Sequence, residues 1–162
     1  MSFDRVLDER IQGWLAEAPV VRLATVTPRG RPHVAPFWFH SDGARIVIST
    51  LENQTVRNLR ANPECAVLVD LGTDFKDLRG ALIRGRARLL KRDATVPEDV
   101  RAALDAIDRA HAAELDEPEF ARYQAWETRP KIVLDIEPLG ATWFDLGLSD
   151  AGRTGSAHAG AR

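Results

Sequence analysis

Lysine is scarce in this chain: of its 22 basic residues only Lys76, Lys91 and Lys131 are not arginine. Cysteine is scarcer, with Cys65 alone, so no internal disulfide can form. Cys65 leads into the apolar run AVLVD, a position that predicts a buried structural thiol rather than a nucleophile. No stretch approaches the roughly 18 apolar residues of a membrane-spanning helix. The N-terminus, MSFDRVLDERIQGW, is charged throughout and lacks the apolar core of a secretory signal. These absences point to the cytoplasm. A net charge of −2 gives no excess of either sign, which argues against nucleic acid or an anionic membrane as partner.

Familiar catalytic patterns are missing as well. There is no GxSxG elbow, no GxxxxGK[ST] loop, no GxGxxG turn and no His/Cys/Asp/Glu set at zinc spacing. The histidines, at 33, 40, 111 and 158, are scattered. A hydrolase carrying its own nucleophile and base is thereby disfavoured. Any chemistry has to come from a bound cofactor.

What is present suits one soluble domain: 162 residues, 28% charged and 44% hydrophobic. The boundaries predicted are a single domain over 1–148 and a disordered Gly/Ala/Ser/Arg tail over 149–162. Apolar residues at helical spacing predict a helix from Phe3 to Glu17, capped by Ser2 or Asp4. Val20 to Val26 reads as a strand, Thr27-Pro28-Arg29-Gly30 as a turn, and Pro32 to His40 as a returning strand. Pro32 and Pro36 cannot donate to a ladder, which places that strand at an edge or a bulge. Ser41-Asp42-Gly43 turns the chain into a third strand of this meander, Arg45 to Thr50. Ala66 to Asp70 and Gly80 to Leu90 follow. In the latter Arg84, Arg86 and Arg88 alternate with Ile83, Gly85, Ala87 and Leu89, a half-buried strand whose arginine face is solvated. Helices over Pro97 to Leu115 and Pro118 to Trp126 precede closing strands at Lys131 to Ile136 and Ala141 to Phe144. His111 falls on the first of these helices, without evident chemistry. Six or seven antiparallel strands with helices at the side make a mainly β protein, a closed or partly split barrel rather than a doubly wound sheet.

The stretch Ile46 to Pro63, IVISTLENQTVRNLRANP, carries the strongest functional signal. A strand ending in Ser49 and Thr50 runs through a polar turn into a helix starting near Thr55. A helix N-terminus offers free N–H groups and a favourable dipole to an anion, and Arg57 and Arg60 add positive charge. Arginines on a short helix are also commonly just solvated, so this pattern alone leaves both readings open.

The ordered set from RLATVTPRGRPHVAPFWFH through STLENQTVRNLRANP to RGALIRGRARLL and ATWFD resembles the pyridoxamine 5'-phosphate oxidase-like family of split β-barrel flavoproteins, nearest its actinobacterial F420-dependent branch. The likeness spans Val20 to Leu146. It implies a homodimer with the cofactor, F420 or FMN, in a groove at the dimer interface. It further implies a hydride-transferring oxidoreductase acting on a small-molecule substrate. The alternative on the same fold is a non-catalytic flavin, F420 or haem binding or storage protein. By the resemblance, the ring lies against Pro36, Phe37 and Trp38, and Ile48, Ser49 and Thr50 contact it from the end of their strand. Gln54, Thr55, Arg57 and Arg60 surround the phosphate, Asn58 packs the helix, and Trp143 walls the ring pocket from the partner chain. No side chain is assigned as catalytic acid or base. Thr55 stands where many relatives carry a phosphate-pairing lysine, so Thr55→Lys is expected to tighten binding.

Overall fold

The computed structural model describes residues 6–147 and the backbone of residues 153–158. The first helix, α1, spans Glu9–Glu17; its N-cap is Asp8, whose carboxylate accepts the Ile11 N–H at 2.9 Å. It thus begins later than the apolar spacing suggests, because Asp8 satisfies the free donors of the first turn. The proposed caps Ser2 and Asp4 lie outside the described residues.

Strands β1 (Val21–Val26) and β2 (Pro32–Phe37) form the expected hairpin, with Ala24 opposite Val34. The chain bends at Trp38 and Phe39, so the long returning strand is two pieces: β2 and the short β3 (His40–Ser41). Strand β4 is Ile46–Thr50 and α2 is Gln54–Ala61. Then come β5 (Glu64–Leu71), β6 (Arg79–Lys91), α3 (Glu98–Glu114), α4 (Glu117–Glu127) and β7 (Ile132–Asp145). β7 is one strand where two are expected: Arg84 and Gly85 of β6 face Gly140 and Pro138, so Leu139 is the extra residue of a bulge in β7 and the strand runs on through it. Gly85 is needed there: a Cβ would stand 2.8 Å from Ile136 Cγ2 and 2.9 Å from the Glu137 carbonyl oxygen.

The sheet is antiparallel, in the order β2-β1-β5-β6-β7-β4-β3. β2 is terminal, as its prolines require. The three-strand meander does not form, however. β4 pairs with β3 on one side and with β7 on the other, with Ile48 opposite Leu134, and does not touch β2's ladder. A further strand, β8 (Arg153–His158), pairs with β7 at 140–145. The predicted tail is therefore ordered over 153–158, and its remainder lies outside the described residues. β4 leaves β7 at Ile136, which exposes the backbone edge beyond Gly140. Small residues without apolar periodicity can pair with such an edge, because main-chain hydrogen bonds need no particular side chain.

Alternate residues of the strands point into a common core: Val21 and Leu23, Val67 and Val69, Ala81 and Ile83, Ile46 and Ile48, Leu134 and Ile136 are all fully buried. Ile11 and Leu15 of α1 and Val56 and Leu59 of α2 enter the same core. A second, smaller core lies on the other face of β4 and β7, where Val47 and Val133 meet Val100, Leu104 and Ile107 of α3. β4 is thus sandwiched between the barrel interior and α3.

Candidate functional site

The strand-turn-helix from β4 to α2 is held by its own side chains. Asn53 caps α2, its Oδ1 accepting the Val56 N–H at 3.1 Å, while its Nδ2 donates to Thr50 Oγ1 at 2.9 Å. Asn58 is fully buried and donates to Thr25 Oγ1 of β1 at 3.0 Å. Its own Oδ1 accepts from Gln54 Nε2 at 2.7 Å, and Gln54 Oε1 accepts from Arg57 Nη2 at 2.9 Å. A continuous line of hydrogen bonds therefore runs from the solvent-exposed Arg57 guanidinium into the barrel. It fixes α2 against β1 and aims Arg57. Buried amides left without partners would cost roughly 1–3 kcal/mol each, which is why such a line is built complete.

Of the predicted cradle residues, Thr50, Gln54 and Arg57 come together in this way. Arg60 does not join them as a free charge. Its guanidinium forms a bidentate pair with Glu52, at 2.6 and 2.7 Å, which holds the Glu52 carboxyl below its usual range. Thr55 is turned inward. It is 1% exposed, and its hydroxyl lies 3.1 Å from His33 Nε2. The side chain at 55, from which a lysine is expected to reach an anion, points into the protein.

Ile48 likewise contributes only its backbone, since its side chain is core. That backbone matters. Among the described residues β3 pairs with β4 only at Ile46 and Val47, so the outer edge of β4 is free of strand pairing from Ile48 to Thr50. Ser49 faces α3 and accepts from Arg92 Nη1 at 3.2 Å. Arg92 also pairs with Asp108 of α3. Asp108 accepts in turn from the Tyr123 hydroxyl at 3.2 Å.

At the bend after β2, Pro36 is exposed on the outer face and Phe37 packs against the main core. Trp38 is 56% exposed, with its ring edge-on to His111, centroids 4.7 Å apart. Trp143 stands elsewhere. It packs at 6.3 Å against Trp14 of α1, with the Arg10 guanidinium 4.2 Å above its ring. It belongs to the α1 side of the barrel and not to the cradle.

Residues not singled out beforehand complete the neighbourhood: Asn53, Glu52 and His33 around α2, and Arg92, Asp108 and Tyr123 beside Ser49. Asn53 was legible, being a preferred cap residue just before the helix. The others depend on long-range pairing. Burial pushes the Cys65 thiol up to about 12, as expected of an inert cysteine, although the residue is only half-buried. Among the described residues no group of His, Cys, Asp and Glu could hold a metal ion, and no helix is long and apolar enough to cross a membrane.

Residues 7–136 match the family model for pyridoxamine 5'-phosphate oxidase. Solved structures that share the fold include the following three. A FAD-binding protein of Mesorhizobium loti is 18% identical with a TM-score of 0.63, over 92% of this chain and 93% of that one. HutZ, the haem storage protein of Vibrio cholerae, is 16% identical with a TM-score of 0.58, over 82% and 89%. An F420 reductase is 26% identical with a TM-score of 0.54, over 78% and 92%.

Proposed function

The chain belongs to the pyridoxamine 5'-phosphate oxidase family, and from that premise we propose that it is a flavin- or deazaflavin-dependent oxidoreductase of the F420-using branch. A bound FMN or F420 would supply hydride transfer to or from a small-molecule substrate, since the sequence carries none of the familiar nucleophile-and-base motifs. The observation that carries this reading is the open edge of β4 at Ile48–Thr50, set beside the first turn of α2 and the exposed Arg57. Main-chain donors on a strand edge free of ladder pairing suit the polar end of a flavin-type ring, and a guanidinium aimed by Gln54 suits a phosphate.

The reading includes a homodimer. The outer face of the sheet carries Val26, Val34 and Leu82, each at least 40% exposed. The half-buried Ala24, Ala66 and Leu68 lie between them on the same face. An exposed apolar sheet face of this kind suits a second copy of the chain. Trp143 would reach a ring only from that second copy.

One observation favours the non-catalytic alternative, a flavin, F420 or haem binder. Thr55 is turned inward and Arg60 is engaged by Glu52, so Arg57 is left as the cradle's principal charge. The absorption spectrum of the purified protein, with a titration of F420 fluorescence, separates the readings. A flavin band, or quenching of F420 with a substrate-dependent change of its redox state, supports the enzyme. A Soret band alone supports the haem binder, and a colourless protein that leaves F420 fluorescence unchanged overturns the enzyme.

A further inference from the structure

Beyond Ser49, Trp38 and the α3–α4 insert border an open-mouthed pocket of about 280 Å³, lined by Trp38, His111, Glu114, Leu115, Arg122 and Tyr123. Its walls are aromatic. Trp38 meets His111 at an interplanar angle of 70°, and Tyr123 meets it at 79° with centroids 5.5 Å apart. Both large rings therefore stand steeply to the imidazole, and Tyr123 is also stacked with Phe120, centroids 6.4 Å apart. Leu115 is half-buried beside them, and Arg122 and Glu114 are exposed.

The imidazole has a defined hydrogen-bonding sense. The Tyr123 hydroxyl donates to the Asp108 carboxylate, so the His111 Nδ1, 3.4 Å from the same hydroxyl, is assigned the hydrogen. Burial holds His111 below its usual range, in the neutral form, against the opposing charges of Asp108 and Glu114. A neutral imidazole protonated at Nδ1 keeps a lone pair at Nε2.

We infer that this pocket binds a small planar conjugated ring that carries a hydrogen-bond donor, the ring packed against the exposed Trp38 and the donor meeting His111. Flat faces of this kind gain from ring stacking, which a saturated ligand of equal size cannot offer. The volume lies at the small end for ligand pockets, which limits the occupant to one or two fused rings. As a ring-binding site the pocket stands alone. As the substrate's slot it rests on the proposed function, because Trp38 also borders the strand bend assigned to the cofactor ring.

Calorimetric titration of the full chain with 2-naphthol, and with decahydro-2-naphthol as its saturated counterpart, tests the inference. The expected result is one 2-naphthol site per chain, with the saturated compound at least about tenfold weaker. Trp38→Ala, at an exposed position, is expected to weaken 2-naphthol by about tenfold or more, and Leu115→Trp, which fills the pocket, to abolish it. Equal affinity for the two compounds, no 2-naphthol binding, or indifference to both substitutions overturns the inference. Arg57→Ala separates the two readings, since it should leave 2-naphthol binding unchanged. If the spectrum and F420 titration fail while 2-naphthol binds, only the cofactor reading falls; the reverse pattern removes the ring slot alone.

Discussion

The first turns of α2 and the outer face of β6 both display arginine, yet they are built for different ends. On β6, Arg86 pairs with Glu64 at 2.9 Å and Arg88 with Asp135 at 2.6 Å, so two charges of that face are met by carboxylates on neighbouring strands. On α2, Arg60 is met in the same way by Glu52, but the hydrogen bond of Arg57 goes to the neutral amide of Gln54, and Glu52 acts on Arg57 as a nearby charge without a direct ion pair among the described residues. An amide positions a guanidinium without cancelling its charge. The difference teaches that arginine number says little about an anion site; the chemistry of each partner decides it.

Two substitutions break the comparison from the α2 side. The largest effect expected is from Thr55→Lys. It places an ammonium where the side chain is 1% exposed and removes the contact with His33. A buried unpaired charge costs about 3–5 kcal/mol. Chemical denaturation should show that loss, with no gain in cofactor affinity; a tighter-binding, equally stable variant would mean the side chain at 55 reaches the cradle after all. Next is Arg57→Ala. Losing a charge-assisted contact costs about 1.5–3 kcal/mol, or ten- to a hundredfold in affinity for FMN or F420 by fluorescence titration. The melting temperature should stay within a few degrees of the parent's, since Arg57 is exposed.

Much of the fold was legible in local pattern. The TPRG turn predicts the β1–β2 hairpin, Pro32 and Pro36 predict its place at the end of the sheet, and the alternation around Arg84, Arg86 and Arg88 predicts their exposed face. These are signals that a few adjacent residues carry. The partners of β4 were not legible, because Ile48 meets Leu134 only when distant strands pair in the barrel. That same pairing determines which edge of β4 is left open, so the feature central to the site was hidden with it. Nor could the sequence tell Arg57 from Arg60, which differ in what Glu52 and Gln54 happen to reach. β8 was obscured for another reason: it is selected by an exposed backbone edge, to which side-chain periodicity is blind.

Two smaller changes sharpen the contrast. Glu52→Gln keeps the shape of the Arg60 partner and removes its charge. If the cradle is limited by positive charge, freeing Arg60 should tighten FMN or F420 by a few-fold, more at low than at high salt. Unchanged affinity would mean that Arg60 lies beyond the phosphate.

Arg86→Ala should do least of all. The Arg86–Glu64 pair is solvent-exposed on both sides, at 60% and 55% of side-chain area. Such pairs contribute within about 0.5 kcal/mol of nothing, because side-chain entropy and screening offset the attraction. Cofactor affinity should be equal to the parent's. That near-zero result is what gives the Arg57 measurement its meaning: both substitutions remove one positive charge from the same small protein, so their long-range effects are alike, and only the local arrangement differs. If Arg86→Ala weakened binding as much as Arg57→Ala, the cofactor would be responding to net charge, and the cradle at the end of β4 would lose its claim to the phosphate.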